Sequence, residues 1–262
     1  MIGSIIGDIV GSIYEFKNIK HKHFPLFSLE SFYTDDTILT VATADCIMNS
    51  RSYETLYREY ARKYPSASYG SSFRKWMESD TMGPYNSFGN GSAMRVGPVG
   101  TLKFTIPGVL AEAKCSASVT HNHPEGINGA KATALAIYLA RKGCTKDAMK
   151  TYLEALFGYD LGRPLEKIRE SYEFDETCQG TVPEAIIAFL ESENFEDAIR
   201  NAISIGGDSD TLACITGGIA EAFYKQIPKA IINQAWSRIP EEFKEVIKEF
   251  SKRVDYYKPK VK

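Results

Sequence analysis

Apolar residues recur three and four positions apart along most of this chain, the spacing that predicts α-helices with a buried face. From Asp36 to Met48, for example, Ile38, Leu39, Ala42 and Cys46 would lie on one side of a helix. An N-terminal helix is also predicted, and the same spacing predicts further helices over residues 109–119, 129–140, 183–190, 195–205, 211–223 and 241–254. The pattern therefore predicts an all-α fold.

Interruptions of this pattern predict helix starts and functional loops. Pro183, after Thr181 and Val182, favours a helix start because proline is tolerated in the first turn. Alternating apolar and polar runs are scarce, and Val99 to Ile106 is the best strand candidate. The loops expected to carry function cover residues 18–36, 65–97, 120–128 and 172–182.

The length and regularity of the chain predict one domain. Its 262 residues lie within the range of a single compact domain. The chain contains no low-complexity stretch, long Gly/Ser linker or repeat of fixed period. We therefore predict a single orthogonal multi-helix domain over residues 1–262, in which residues 250–262 form a frayed basic tail.

Composition and charge are typical of a globular cytoplasmic protein. Apolar residues make up 44%, and 31 Lys and Arg nearly balance 33 Asp and Glu, which argues against a nucleic-acid-binding surface. The five cysteines form no CxxC pair, so free thiols in a reducing compartment are expected. The apolar N-terminus lacks basic residues, is interrupted by Asp8 and is too short to span a bilayer, so we predict neither export nor membrane insertion.

A first acidic cluster, Thr34-Asp35-Asp36-Thr37, directly precedes a predicted helix. Adjacent carboxylates repel each other unless a cation lies between them, and magnesium prefers carboxylate and hydroxyl oxygens as ligands. Asp and Thr are also ordinary helix-capping residues, since their side chains favour the positive end of a helix. Considered alone, this cluster is better explained by capping.

A second acidic cluster, Asp208-Ser209-Asp210-Thr211, follows the pair Gly206-Gly207 and precedes another predicted helix. Asp208 and Thr211 would share a helix face, and Asp210 can turn toward the same point. One cap needs only one side chain, whereas three oxygen ligands are close together here, so capping and metal binding are equally supported. Two such clusters in one chain suit a pair of magnesium-type ions held between helix starts, and the spacing of a calcium EF-hand is absent.

The N-terminal helix carries small residues at every fourth position. Gly3, Gly7, Gly11 and Glu15 would share one face, which allows close approach of another helix and places a glutamate at the end of the glycine strip. A partly desolvated glutamate has a raised pKa and suits proton transfer. The spacing alone favours the alternative, that the strip is a packing seam and Glu15 a solvated end residue.

Two further segments are candidates for binding a ligand. The small-residue loop from Asn86 to Arg95 offers backbone N–H groups for an anion and Phe88 for stacking on a nucleobase, although an ordinary surface turn would look similar. The segment Thr120 to Gly126 contains His121 and His123. Because no HExxH motif or cysteine partner accompanies them, His121 is expected to contact a ligand or to be a structural histidine rather than to bind zinc.

Taken in order, these motifs resemble the ADP-ribosylglycohydrolase family, and they span residues 3 to about 220. The matching pieces are Gly7-Asp8 through Glu15, Thr34 to Thr37, Tyr69-Gly70, Gly89 to Arg95, Thr120-His121, and Gly207 to Thr211.

The resemblance implies an all-α fold with two magnesium ions, for which manganese is a substitute, holding the distal ribose of ADP-ribose. The implied metal ligands are Thr34, Asp35, Asp36, Asp208, Asp210 and Thr211. The implied catalytic group that activates water is Glu15 or a metal-bridging aspartate, for which Asp36 is our choice. The implied substrate-binding residues are Gly70, Asn86, Ser87, Phe88, Gly89, Asn90, Gly91, Met94 and His121.

The predicted activity is magnesium-dependent cleavage of the glycosidic bond between ADP-ribose and a modified protein or nucleic acid, with release of ADP-ribose. Two alternatives stay open. One is a catalytically silent ADP-ribose-binding or crystallin-like member, against which the presence of Glu15 and both acidic clusters argues. The other is a metal-dependent phosphohydrolase or nucleosidase. The acceptor atom and the oligomeric state do not follow from the sequence.

Overall fold

A computed structural model describes residues 1–256, and within this range the chain forms helices and no strand, so the all-α prediction is confirmed. In chain order the helices are α1 (Ile2–Gly11), α2 (Asp35–Asn49), α3 (Tyr53–Lys63), α4 (Ser71–Glu78), α5 (Gly91–Met94), α6 (Gly97–Leu102), α7 (Ile106–Ser118), α8 (Pro124–Arg141), α9 (Lys146–Phe157), α10 (Leu165–Ser171), α11 (Cys178–Leu190), α12 (Phe195–Ser204), α13 (Ser209–Tyr224), α14 (Lys229–Trp236) and α15 (Glu241–Tyr256).

Helix α13 lies at the centre of the fold, packed against α1, α8, α11 and α12. It is buried on all sides from its first residue to Ala220, as expected of a helix that is apolar around its whole circumference. Helix α1 packs alongside it so closely that a Cβ on Gly7 would lie 2.0 Å from the carbonyl oxygen of Ala213. A Cβ on Gly11 would lie 2.4 Å from Cα of Asp210. The glycine strip is therefore a packing seam, and it brings the end of α1 to the start of α13.

The strand predicted over Val99 to Ile106 is wrong. Residues 97–102 form helix α6, with Pro98 in its first turn and with Val99 and Leu102 both buried. Val99 and Leu102 are three positions apart, which is a helical spacing. The alternation of apolar and polar residues over 99–106 was too short to distinguish a strand from a helix. The loop predicted over residues 65–97 likewise contains the short helices α4 and α5.

The predicted start of α11 at Pro183 is also wrong. The helix begins at Cys178, where the Thr177 side chain caps it by accepting a hydrogen bond from the Gly180 N–H, and Pro183 lies inside the helix. At the other end of the chain, the tail expected to fray from residue 250 is helical as far as Tyr256, and Phe250 is buried. Residues 257–262 of that predicted tail lie outside the described residues.

Candidate active site and metal centre

The starts of α2 and α13 meet the turn that follows α1 at a cleft of about 260 Å³. Thirteen of the residues predicted for the site line it: Glu15, Asp35, Asp36, Gly70, Ser87, Gly89, Asn90, Gly91, Met94, His121, Asp208, Asp210 and Thr211. We call Glu15, Asp35, Asp36, Asp208 and Asp210 the acidic region of the cleft, and Ser87, Gly89 to Gly91 and His121 its donor region. The two regions come from parts of the chain that lie far apart in sequence.

Glu15 reaches the acidic region by a different route from the one predicted. Helix α1 ends at Gly11, so Glu15 lies in the following turn and not on the helix face that carries the glycines. Carboxylate oxygens of Glu15, Asp208 and Asp210 nevertheless lie within 4.8 Å of one another. This spacing is close enough for the three carboxylates to hold a shared cation.

The two acidic clusters are not explained by helix capping alone. At the start of α2 the cap is the Thr34 hydroxyl, which accepts the Asp36 N–H at 3.2 Å. The Asp35 and Asp36 carboxylates are therefore not used as caps. At the start of α13, Asp208 occupies the N-cap position but makes no side-chain capping hydrogen bond. Its Oδ2 instead accepts a hydrogen bond from the Asn90 amide at 2.7 Å.

One buried carboxylate oxygen of Asp36 has no hydrogen-bond partner among the described residues. Its Oδ1 accepts a weak hydrogen bond from the Thr211 hydroxyl at 3.4 Å, while Oδ2 is buried and has no hydrogen-bond partner among the described residues. A buried carboxylate oxygen is almost always hydrogen-bonded, so the unpartnered Asp36 Oδ2 points to an ion or a water as its partner. The donor set around it is made of carboxylate and hydroxyl oxygens, which fits a hard divalent cation such as magnesium.

Asp8 is a buried carboxylate that was not among the predicted site residues. It accepts hydrogen bonds from the backbone N–H groups of Thr34 and Thr37, each at 3.0 Å, and from both of their hydroxyls. These four donors fix the start of α2 against α1. A lone carboxylate in the middle of an apolar glycine-lined helix was the sequence signal for this role.

No residue in the described range forms a salt bridge with Asp8 or with the five carboxylates of the acidic region, and the Arg74 charge acts on Asp35 only from a distance. Burial, followed by repulsion from Asp208 and Asp35, raises the pKa of Glu15 to about 8. Burial and the charge of Asp8 raise the pKa of Asp35 to about 7. Burial and neighbouring carboxylates also raise the pKa values of Asp36 and Asp210. Such mutual repulsion is relieved by a bound cation or by protons.

A solvent-exposed amide joins the turn that carries Glu15 to the turn that carries Asp208. The Asn18 side chain accepts the Gly207 N–H at 2.7 Å and donates to the carbonyl oxygens of Gly207 and Glu15 at 3.0 and 2.7 Å. Gly207 has a positive φ of 72°. A Cβ on Gly207 would lie 2.6 Å from the Tyr172 ring, so the turn is restricted to glycine. Asn18 was not among the predicted site residues because its partner is distant in sequence.

The donor region is built around two close contacts with His121. A Cβ on Gly91 would lie 3.2 Å from His121 Nε2, so this glycine allows the loop to pack on the imidazole ring. His121 Nδ1 lies 2.7 Å from the Thr120 hydroxyl, which also accepts a hydrogen bond from Arg95 Nη2 at 2.8 Å. Burial and the Arg95 charge hold the pKa of His121 well below its usual range, so the ring is neutral. His121 therefore presents a neutral ring at the lining of the cleft.

Three predicted site residues do not line the cleft. The Thr34 hydroxyl lies behind it, donating to Asp8 at 2.7 Å. Asn86 is exposed, and its N–H donates to the Asn122 side chain at 2.7 Å. Phe88 is 45% exposed and lies beside His123, with ring centroids 5.3 Å apart. Conversely, eight residues that line the cleft were not among the predicted site residues: Leu39, Ser68, Ser71, Ser72, Phe73, Tyr85, Arg95 and Glu176.

Comparison with known proteins identifies the class of enzyme. A family model described as ADP-ribosylglycohydrolase matches residues 1–257. The chain therefore belongs to the ADP-ribosylglycohydrolase family and is a glycosidic-bond hydrolase.

Individual relatives are more distant. The chain is 27% identical to ADP-ribosylhydrolase ARH3 of Mus musculus, over 94% of this chain and 87% of that protein. It is 25% identical to ADP-ribosylarginine hydrolase Tri1 of Pseudomonas putida, over 91% of this chain and 74% of that protein. A solved structure titled ADP-ribosylglycohydrolase-related protein complex has the same fold, with a TM-score of 0.72, 23% identity and 97% of each chain covered. Within residues 1–256, no helix is both long and apolar enough to cross a membrane.

Proposed function

We propose that this protein is a magnesium-dependent hydrolase that releases ADP-ribose from an ADP-ribosylated protein or nucleic acid. The observation that carries the proposal is the acidic region, in which buried carboxylates converge without a salt bridge among the described residues, and Asp36 Oδ2 has no partner among them. Such a region is stable in its ionised form only with a cation, and its oxygen donors favour magnesium over softer metals.

Two magnesium ions, or manganese in their place, would be held by the start of α2 and the start of α13. The proposed ligands are Thr34, Asp35, Asp36, Asp208, Asp210 and Thr211. The Thr34 hydroxyl donates to Asp8 and accepts the Asp36 N–H, which leaves one lone pair of its oxygen for a metal ion. Bound there, the ions would neutralise the carboxylates and act as Lewis acids toward the hydroxyls of the distal ribose.

The donor region suits the rest of an ADP-ribose molecule. The backbone N–H groups of Gly70, Ser87, Phe88 and Gly91 are proposed to hold the diphosphate, with His121 and Met94 lining the same part of the cleft. The N–H groups of Asn86, Gly89 and Asn90 already donate within the protein. Phe88 follows Ser87 directly in the chain and presents an exposed ring, which suits stacking on adenine. With the diphosphate held there, the distal ribose would extend toward the acidic region.

The reaction requires a group that accepts a proton from water as it attacks the anomeric carbon. The bond from this carbon to the acceptor breaks, and its electron pair leaves with the acceptor, which gains a proton. Glu15 is half-buried at the acidic region, and its carboxylate lies within 4.8 Å of those of Asp208 and Asp210, so once ionised beside the bound cations it can accept a proton from a water held there. Asp36 is the second candidate, since it lines the same cleft and its Oδ2 has no hydrogen-bond partner among the described residues. The surrounding carboxylates would stabilise positive charge that develops on the ribose.

The test is release of free ADP-ribose from arginine-linked, serine-linked and nucleic-acid-linked substrates, each with magnesium or with a chelator. We expect release from at least one substrate, abolished by the chelator. The double variant Asp208→Asn plus Asp210→Asn should lose at least about 10³-fold in kcat, because it removes two of the proposed ligands. Asp147→Asn, an exposed acidic residue of α9, is the matched control and should retain full activity.

The same experiment separates the alternatives. Activity that survives the chelator or the double variant would overturn the metal mechanism. Release of phosphate or of a free base in place of ADP-ribose would favour a phosphohydrolase or a nucleosidase. Binding of ADP-ribose without release from any of the three linkages would favour a catalytically silent member of the family.

A further inference from the structure

Arg95 is a buried cation that no carboxylate neutralises within residues 1–256. It is 0% exposed, and its guanidinium lies 4.3 Å from the centroid of the Tyr57 ring. Nη2 donates to the Ser116 carbonyl and to the Thr120 hydroxyl at 2.9 and 2.8 Å, while Nε and Nη1 are buried without hydrogen-bond partners in that range. Burying a charge without a counter-charge costs free energy. Such a charge also acts strongly on the polar groups beside it.

The Thr120 hydroxyl connects this cation to the cleft. Because Arg95 only donates, Thr120 must accept from it, and its own proton is free to go to His121 Nδ1, 2.7 Å away. The charge of Arg95 favours the same arrangement. A positive charge at the Thr120 side of the ring stabilises the tautomer that directs a lone pair toward it, and disfavours a protonated Nδ1.

The other ring nitrogen faces the ligand side. His121 Nε2 lies against Gly91 at the lining of the cleft and has no hydrogen-bond partner among the described residues. If Nδ1 accepts from Thr120, Nε2 carries the proton of the neutral ring. A neutral histidine of this tautomer donates to an oxygen acceptor, whereas the opposite tautomer would present a lone pair and repel it.

We infer that Arg95 and Thr120 are positioning residues that fix His121 as the tautomer with its proton on Nε2, so that this N–H donates to an oxygen of bound ADP-ribose. The inference about the ligand rests on the proposed function, whereas the inference about the tautomer stands on the contacts of Arg95, Thr120 and His121 alone. The role it assigns to Arg95 explains why an unneutralised cation is buried beside the cleft.

The test is long-range proton–nitrogen correlation NMR on the full chain labelled with ¹⁵N-histidine. The chain contains four histidines, and the His121 signals are those that disappear in His121→Gln. We expect a protonated Nε2 and an unprotonated Nδ1 in the wild-type protein. A proton on Nδ1, or on both nitrogens at neutral pH, would overturn the inference.

Two variants of Thr120 sharpen the test. Thr120→Val removes the hydroxyl and should mix the two tautomers and raise the Kd for ADP-ribose about tenfold, the cost of about one hydrogen bond to a charged acceptor. Thr120→Ser keeps the hydroxyl and should retain both the single tautomer and the affinity. A valine variant that keeps the wild-type tautomer would overturn the positioning role. If Thr120→Val does not fold, the wild-type and serine spectra still decide the tautomer.

Failure of the proposed function is distinguishable from failure of this inference. If wild-type protein does not bind ADP-ribose, the proposed function and the ligand contact of His121 are wrong, and the spectra alone decide the tautomer. If ADP-ribose binds but the tautomer is the opposite one, only the positioning role of Arg95 and Thr120 is wrong.

Discussion

The acidic and donor regions of the cleft differ in the sign of their charge and in how they are built. The acidic region gathers carboxylates at two helix starts and in one turn, and burial raises their pKa values. The donor region contains glycines and a neutral histidine, with the charge of Arg95 behind them. The first region needs a cation to be stable in its ionised form, and the second is ready to donate hydrogen bonds to an anion.

The proposed function uses this difference to bind the two ends of one ligand by opposite means. In that proposal, the ribose is held through cations at the acidic region, and the diphosphate is held through N–H groups at the donor region. Variants in the acidic region should therefore change kcat and the response to magnesium. Variants in the donor region should change ligand affinity and leave the response to magnesium unchanged.

The largest effect is expected from Glu15→Gln. It removes the group proposed to accept the proton from water, so kcat should fall by about 10² to 10⁴-fold while the Kd for ADP-ribose changes little. Single-turnover release of ADP-ribose and calorimetric binding measure the two quantities. Glu245→Gln, an exposed glutamate of α15, is the control. A kcat for Glu15→Gln within about threefold of wild type would assign the proton transfer to Asp36 instead.

A smaller effect is expected from Asn18→Ala, which removes the hydrogen bonds that hold the Glu15 turn to Gly207. Asn18 does not line the cleft, so we expect kcat to fall about tenfold with KM nearly unchanged, because only the placement of Glu15 relative to Asp208 is loosened. Steady-state kinetics measure both constants. Lys17→Ala, at a neighbouring exposed residue, should be silent. A change in KM alone would show that Asn18 acts on the substrate and not on the catalytic geometry.

A site residue could be predicted from the sequence when the residues that reveal its role lie close to it along the chain. Asp36 and Asp210 stand at helix starts, where hydroxyls and a second carboxylate lie within a few residues, and these clusters were found. Asp8 gave a local signal, a lone carboxylate in an apolar helix, but its partners follow only from the packing of α1 on α2. Arg95 acquires its role only where it meets Thr120, and no local pattern encodes that contact. Glu15 was found through its spacing from the glycines, although the helix that justified the spacing ends before it.

The helices of the fold also differ in how well the sequence predicts them. The long periodic helices α13 and α15 were predicted to within a few residues at both ends, since their apolar spacing is sustained over several turns. The short helices α4, α5 and α6 were missed because each has too few turns to show a period, and α3, α9, α10 and α14 were not predicted either. Their positions are set by packing and not by propensity.

Beside the donor region, Phe88→Ala tests the stacking proposed for adenine. Loss of a stacked ring should raise the Kd for ADP-ribose at least about fivefold, with kcat on saturating substrate unchanged. Tyr152→Ala, which removes a similarly exposed aromatic ring on α9, is the matched control and should bind as wild type. If AMP binds to the wild type and to Phe88→Ala with equal affinity, the adenine does not stack on Phe88.

The smallest effect, on thermal stability, tests the charge of the acidic region directly. Burial raises the pKa of Asp8 to about 6, of Asp35 to about 7 and of Glu15 to about 8, all above the ordinary carboxyl range. The folded protein thus binds protons that the unfolded chain has released, and the resulting stability is present at low pH and is lost as pH rises through these values. Without metal, Tm should therefore fall by a few degrees from about pH 6 to about pH 8.5.

Magnesium should reverse this dependence, because it replaces the protons that the carboxylates lose. We expect the rise in Tm on adding magnesium to be larger at about pH 8.5 than at about pH 6, measured by circular dichroism against a chelator. Glu15→Gln should flatten the upper part of the metal-free profile, since it removes the carboxyl whose pKa, about 8, is the highest of these three. Phe88→Ala, in contrast, should leave both profiles unchanged. A magnesium response that is equal at both pH values would mean that the ions bind outside the acidic region.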